Sequence, residues 1–378
     1  MKSNKDKKVK PLIRRFKYRL RNIKITNLKG IKDFYLEFDN NKRVTAIVGA
    51  NGSGKSTIIH ALACLFKPAG KETSKDYNRL SDFFTPNKDA TWDGSEFVAT
   101  FSYEEYNSTK APSVTNKEDT EKYYKKRRWF PIYGRRHVRE SAYIGLHNLS
   151  TLNENKNAGR YKEYKTEELA HESADKIKQD MIYILGRAYE SLNSCIIKKG
   201  NKAHTMFGLK YNGVSYSEHS MGAGEKRILN ILCALHNPLM RQGGLLLIDE
   251  IDVLLHGGAF KRLVERIVQR ANEYSIEVVF STHRETISDF DSEVNVFGIL
   301  NTGKNVLPMP HTHPDILFQL TGERKNPIQV YVEDELAEDI VLNLIYKKNM
   351  QDYVSVTRFG VWSNAFAVLA GMKLMDRE

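Results

Sequence analysis

Gly49-Ala50-Asn51-Gly52-Ser53-Gly54-Lys55-Ser56 follows the apolar run Val44-Thr45-Ala46-Ile47-Val48 and precedes Ile58, Ile59, Leu62, Leu65 and Phe66, which recur at helical spacing. The octapeptide satisfies GxxxxGK[ST] in the context that pattern requires, a strand running into a glycine-rich turn and then a helix. Glycines let successive backbone N–H groups curl around phosphates, and the helix N-terminus adds partial positive charge. Lys55 is placed to reach β and γ phosphates, and the Ser56 hydroxyl to ligate Mg²⁺. Gly49, Asn51, Gly52, Ser53, Gly54, Lys55, Ser56 and the adjoining Thr57 are therefore the candidate nucleotide-binding residues, with ATP and Mg²⁺ as cofactors. Pro68 and Gly70 end the helix.

A triphosphate site needs a carboxylate on the Mg²⁺ side and a group to polarise water. Leu245-Leu246-Leu247-Ile248-Asp249-Glu250 offers both, because an apolar strand buries its body and releases two acids at its carboxyl end, where ligands sit in open α/β sheets. Asp249 is the candidate metal residue and Glu250 the candidate general base. Val278-Val279-Phe280 leads to Ser281-Thr282-His283, so His283 is expected beside the acid pair as a γ-phosphate sensor. Apolar strands alternating with amphipathic helices (Ile228 to Leu235, Phe260 to Val268) indicate an α/β fold whose parallel sheet is covered on both faces.

The chain has 378 residues, which excludes one small domain, and its 41% hydrophobic content excludes wholesale disorder. Its 58 Lys and Arg against 46 Asp and Glu give a net charge of +12, a surface suited to polyanions, with nucleic acid the first partner to test. Three scattered cysteines fit neither a disulfide framework nor a CxxC zinc site, which points to a reducing, cytoplasmic compartment. No apolar run reaches the roughly 18 to 20 residues that span a bilayer. The Lys-rich start, Lys2 to Arg21, lacks an apolar core for a secretory signal and reads equally as a solvated tail or a DNA contact.

Between the two motif regions the pattern is less decisive. Leu20, Ile23 and Ile25, a turn at Asn27-Leu28-Lys29-Gly30, then Phe34, Leu36 and Phe38 predict a hairpin. Residues 104 to 122 are polar and predict a mobile loop. Lys125 to Arg139 interleaves cations with Trp129, Phe130 and Tyr133, a candidate nucleic-acid surface or a solvated face backed by core aromatics. Ile177, Met181, Leu185, Ala188 and Leu192 predict a single helix over 177 to 197. His311-Thr312-His313 reads as loop.

Ser220-Met221-Gly222-Ala223-Gly224-Glu225 opens a helix, and Ile23-Lys24-Ile25-Thr26-Asn27-Leu28-Lys29-Gly30-Ile31 opens the chain's ordered part. With the 49 to 56 loop, the Asp249-Glu250 pair and His283, these segments resemble the ABC-type ATPases of the SMC class. The resemblance implies a head-type α/β fold with a helical and polar insertion. It also implies a homodimer in which the signature turn of one subunit closes on the ATP of another. Ser220, Gly222, Gly224 and Glu225 are then the residues facing that ATP, with Gly222 standing at the usual serine.

Gln329-Val330-Tyr331-Val332-Glu333-Asp334-Glu335-Leu336 resembles the start of a TOPRIM domain, in which Glu333 matches the first ligand for Mg²⁺ or Mn²⁺. An SMC-like ATPase joined to TOPRIM is the architecture of the OLD (overcoming lysogenization defect) family nucleases and of Gabija-type and retron-associated defence proteins. That resemblance implies an ATP-controlled DNA nuclease with an antiviral role, a retron-derived DNA or RNA partner being a special case. An ATPase sensor or scaffold that recruits a separate effector is the other reading. No Asp-x-Asp follows Glu333, and Asp376-Arg377-Glu378 reads as a helix tail, so the chain is expected to stop inside its second domain. The expected organisation is ATPase lobe I at 1–103, an insertion at 104–218, lobe II at 219–325, and the beginning of TOPRIM at 326–378.

Overall fold

The structure is a computed structural model and describes residues 13–68, 78–107, 113–146, 165–169, 171–199, 202–301, 306–310, 328–348, 350, 354–361 and 364–366. The chain divides into two compact units, Met1–His311 and Thr312–Glu378. The His311-Thr312-His313 loop, the break at Asn326-Pro327 and Asp376-Arg377-Glu378 lie outside the described residues, as do Lys2 to Pro11 of the basic start.

In chain order the first unit holds β1 (Ile13–Leu28), β2 (Ile31–Glu37), β3 (Val44–Val48), α1 (Lys55–Ala63) and α2 (Leu80–Phe83). Then come β4 (Glu96–Asn107), β5 (Ser113–Lys125), β6 (Trp129–Phe130), β7 (Ser141–Ile144), β8 (Lys165–Glu168) and α3 (Glu172–Leu185). It continues with β9 (Ser191–Lys199), β10 (Lys202–Tyr211), β11 (Val214–Ser217), α4 (Ala223–Leu235) and β12 (Leu245–Ile248), then α5 (Gly257–Tyr274), β13 (Glu277–Thr282), β14 (Val294–Asn301) and β15 (Val306–Pro310). The second unit contains β16 (Ile328–Val332), α6 (Glu335–Lys347) and β17 (Val354–Arg358).

The central sheet is six-stranded, in the order β15-β14-β3-β13-β12-β7, and all its pairings except β14 with β15 are parallel. Every residue of β3, β12 and β13 is buried, as expected of strands covered on both faces. Register is what places the chemistry. Val48 lies opposite Thr282, and Phe280 opposite Ile248, so β3, β13 and β12 end on one edge of the sheet. Gly49, His283 and Asp249 each follow directly.

A five-stranded antiparallel sheet, β2-β1-β4-β5-β6, forms the other wall of the core. Leu20, Ile23, Ile25, Phe97 and Phe101 from it pack with Ile58, Ile59, Leu62 and Phe66 of the α1 segment. At about 25 cal/mol per Å² of apolar surface removed from water, this core is the main force holding α1 beneath the glycine-rich turn. A separate four-stranded sheet, β11-β10-β9-β8, belongs to the insertion.

Three sequence expectations are corrected. Residues 104 to 122 are not a loop in their described part. β4 and β5 pair continuously from Glu96↔Tyr124 to Asn107↔Ser113. Their polar side chains are satisfied across the strands, for example Lys117 with Glu105 at 2.6 Å, Lys122 with Glu96 at 2.7 Å and Tyr103 with Asp119 at 2.9 Å. The helix expected over 177 to 197 stops at Leu185, where Gly186 caps it at φ 67°, and the chain resumes as β9. The insertion is therefore richer in strand than in helix.

The third correction concerns Lys125 to Arg139, whose reading as a nucleic-acid surface fails for its core members. Tyr123, just before it, is fully buried and donates to the Leu65 carbonyl at 2.8 Å. Lys125 is buried and paired with Asp93 at 2.9 Å. Arg136 lies over the Tyr123 and Tyr133 rings and donates to the Cys64 carbonyl. Arg139 is buried against Glu277 at 2.8 Å. Lys126, Arg127, Arg128 and Arg135 remain exposed.

Candidate functional site

The turn after β3 is built by its glycines. Gly52 and Gly54 hold φ of 75° and 108°, left-handed values that suit glycine. A Cβ on Gly49 would come within 2.7 Å of Ser53 Oγ and 2.8 Å of the Ile299 carbonyl oxygen, so the backbones of this turn and β14 approach too closely for a side chain. Lys55 is buried and its Nζ donates to the carbonyls of Gly49 and Ala50 at 2.7 and 2.8 Å, folding over its own loop. Burial pushes its ammonium pKa below the usual value, opposed by the nearby carboxylates of Glu250, Asp249 and Asp252. Ser53 Oγ is buried and has no hydrogen-bond partner among the described residues. Asn51 and Gly52 are exposed, and Thr57 is buried in α1.

Ser56 meets Asp249 across the gap between α1 and β12, its Oγ 3.1 Å from Asp249 Oδ1. Ser281, opposite Asp249 on β13, donates to the same oxygen at 2.6 Å and accepts the Glu250 backbone N–H at 2.6 Å. Glu250 adopts φ 55°, uncommon for a non-glycine residue. His283 Nε2 is 3.9 Å from Glu250 Oε1, and its backbone N–H donates to Asp252 Oδ2 at 3.3 Å. Ser56, Asp249, Glu250 and His283, separated by up to 227 positions in sequence, thus share one edge.

Four participants carried no sequence signal of their own. His60, one turn along α1 from Ser56, lies 3.9 Å from Asp249 Oδ2, stacks on Phe83 at 4.4 Å and shares a 2.9 Å hydrogen bond with the Tyr143 hydroxyl. Burial, and then the charge of Asp249, push the Tyr143 phenol well above its usual pKa, which keeps it protonated. Ser281 and Arg227 complete the set. Ser281 directly follows the apolar run of β13 and Arg227 directly precedes Ile228 of α4, but nothing in the sequence distinguished either as a site residue.

The signature turn is placed differently from the loop residues. Ser220 and Gly222 are exposed, and Gly222 precedes α4 as its N-cap. A Cβ on Gly224 would stand 2.6 Å from the Leu254 carbonyl oxygen. Glu225 is buried and turned onto the insertion, where it accepts from the Tyr189 hydroxyl and, at 2.9 Å, from the Tyr216 hydroxyl, with Arg187 at 3.6 Å. In this copy its carboxylate is engaged within the chain.

In the second unit Glu333 is exposed at the end of β16, and Asp334 caps α6 by accepting the Ala337 N–H at 2.8 Å. Among the described residues no group of three or more His, Cys, Asp or Glu is placed to hold a metal ion.

Two family models match the chain. That of the AAA ATPase domain covers residues 19–130, and that described as "AAA domain, putative AbiEii toxin, Type IV TA system" covers residues 196–289. Both segments of the first unit are thus similar to AAA-type models. The first match contains the 49 to 56 loop, and the second contains the 220 to 225 turn, the acid pair and His283. No curated relative matches the sequence.

Solved structures similar to the chain include the SMC head domain from Thermotoga maritima, at 14% identity and TM-score 0.42, covering 78% of this chain and 100% of that one. The Smc head domain of Pyrococcus furiosus with an extended coiled coil, bound to the C-terminal domain of ScpA, matches at 13% identity and TM-score 0.44, covering 78% and 96%. The recombination mediator RecF bound to an ATP analogue matches at 12% identity and TM-score 0.40, covering 78% and 99%. Among the described residues no helix is long and apolar enough to cross a membrane.

Proposed function

We propose that the protein binds ATP at the 49 to 57 loop and hydrolyses it, with Glu250 as general base and His283 beside the γ-phosphate. The observation that carries this reading is the chain of hydrogen bonds from Ser56 through Asp249 and Ser281 to the Glu250 backbone, at the ends of adjacent parallel strands. The loop's N–H groups and Lys55 bind the β and γ phosphates, and Lys55 exchanges its two carbonyl partners for phosphate oxygens. The Ser56 hydroxyl and the Asp249 carboxylate are adjacent hard oxygen donors and suit Mg²⁺. When bound, Mg²⁺ neutralises charge on the β and γ oxygens. Glu250 takes the proton of the attacking water on a side chain that is 25% exposed and so reachable by solvent.

The reading extends to an SMC-type homodimer, with Ser220, Gly222 and Gly224 of one copy closing on the ATP of the other. The exposure of Ser220 and Gly222 supports it. ATP hydrolysis then controls a TOPRIM nuclease centred on Glu333, in a cytoplasmic antiphage defence protein of OLD type that binds DNA, with a retron-derived partner as a special case. The net charge of +12 supports a nucleic-acid partner. Among the described residues Glu333 is exposed and in no cluster of metal-ligating side chains, which favours the second reading, an ATPase sensor or scaffold that restrains or recruits a separate effector.

Glu250→Gln tests the core of the proposal. It retains ATP, loses steady-state turnover by roughly 100-fold or more, and accumulates an ATP-dependent dimer in light scattering. Turnover equal to wild type would remove Glu250 as base. Plasmid cleavage with Mg²⁺ or Mn²⁺ that is lost in Glu333→Ala supports the nuclease reading, and cleavage absent in both supports the sensor.

A further inference from the structure

Arg227 is the largest fully buried side chain among the described residues, in the second turn of α4. Its Nη2 donates to the backbone carbonyls of Asp249 at 2.5 Å and Glu250 at 2.8 Å. Its Nε and Nη1 have no hydrogen-bond partner among the described residues. Burial pulls the guanidinium pKa down, and Asp249, then Asp252 and Glu250, push back.

For stability alone this is a poor use of the position. A buried, incompletely paired cation carries a desolvation cost for each polar group left unsatisfied, and an apolar side chain would fill the same space. What the guanidinium does secure is the backbone around Glu250. That residue holds φ 55°, a strained conformation for a non-glycine residue, which persists only where the surroundings dictate it. Ser281 Oγ accepts its N–H at 2.6 Å, and Arg227 donates to the carbonyl of the peptide between residues 249 and 250 and to the carbonyl of Glu250 itself, so the residue is held on both sides. Together they set the direction in which the Glu250 side chain leaves the sheet. The start of α4 also lies against the backbone that follows the acid pair, because Gly224 leaves no room for a Cβ beside Leu254.

Resting on the ATPase reading above, we propose that Arg227 is a positioning residue for hydrolysis. It holds Asp249 and Glu250 in their working conformation and ties them to the helix opened by Gly222 and Gly224. Whatever seats itself on that turn therefore acts on the general base through a rigid strut, within the same chain.

The test compares wild type, Arg227→Met and Arg227→Lys in the full chain, by steady-state ATP turnover, equilibrium binding of a fluorescent ATP analogue and thermal melting. Wild-type turnover comes first, since its absence would remove the ATPase reading itself. Given wild-type turnover, Arg227→Met lowers kcat roughly 100-fold, the effect of about 1 Å of misplacement of a catalytic group. Its affinity for the analogue stays within about threefold, as expected when only a transition-state interaction is lost. Arg227→Lys keeps the charge and one donor and recovers about tenfold of that loss. A kcat within about twofold of wild type in Arg227→Met overturns the proposal, and so does a parallel fall of kcat, affinity and melting temperature. Should Arg227→Met fail to fold, Arg227→Lys decides alone. A roughly tenfold lower kcat at unchanged affinity supports the strut, and a wild-type kcat refutes it.

Discussion

Replacing Arg139 by Met removes the ion pair that closes the buried seam between the two sheets of the ATPase unit. Arg139 Nη2 lies 2.8 Å from Glu277 Oε2, and both side chains are at most 4% exposed. Its Nε donates to the Gly243 carbonyl at 2.7 Å, and the same Nη2 also reaches the carbonyls of Gly244 and Tyr18 at 3.3 Å. Without it Glu277 retains, among the described residues, the Leu20 N–H at 3.0 Å and Arg19 at 3.6 Å. Leaving one member of a buried pair uncompensated costs about 3–5 kcal/mol. Against a total stability of roughly 5–15 kcal/mol, the expected fall in melting temperature is on the order of 10 °C. Trp92 and Trp129 lie in this unit, so their fluorescence can follow the transition. Adding Glu277→Leu should return about 2 kcal/mol, because the stranded carboxylate is gone. A loss below about 1 kcal/mol would refute the reasoning. So would weakened oligonucleotide binding at full stability, which would return Arg139 to a surface role.

Asp180 joins three helices, accepting Arg270 at 2.8 and 3.0 Å and sharing a 2.9 Å contact with His236. Asp180→Ala should cost about 3 kcal/mol or more in urea unfolding, and a change within about 0.5 kcal/mol would count against the clasp. Although burial disfavours its charge, its hydrogen bonds to His236 and Arg270 bring the pKa below the ordinary 3.8. A depressed folded-state pKa stabilises above the unfolded value, and the contribution is lost as pH falls through the folded one. Wild type should therefore lose this contribution only below about pH 4, and Asp180→Asn should flatten that part of the acid-unfolding profile. Gly49→Ala must push apart the 2.7 and 2.8 Å contacts at Ser53 and Ile299, which should weaken ATP binding about tenfold or more. Unchanged affinity in a filter-binding titration would show that the loop tolerates a Cβ.

The central sheet was legible because burial on both faces writes continuous apolar runs, and each run ends abruptly in chemistry: Val48 before the glycines, Ile248 before two acids, Phe280 shortly before His283. The β4–β5 hairpin was hidden for the opposite reason. Its outer part is polar on both faces and is held by pairs such as Lys117 with Glu105, so hydropathy alternation has nothing to record. The break after Leu185 rested on Gly186 alone, while the apolar spacing from Ile177 continued through Leu192 by coincidence of a helix followed by a strand. In the site, side chains that do chemistry were visible as residue types at strand ends. Ser281 and Arg227 act on hydroxyl protons and backbone carbonyls, which any serine or arginine can do, so only register and burial single them out. The bonds of Glu225 to two tyrosines were likewise invisible in the sequence, where only its place in the signature turn could be read.

Isothermal titration of the intact protein with ATP and Mg²⁺, beside Lys55→Ala, bears most directly on the claim that the 49 to 57 loop and the acid pair form one triphosphate site. Saturable binding in wild type, abolished in Lys55→Ala at unchanged melting temperature, is the expected result. Absence of binding in wild type, or equal affinity in the variant, would contradict it.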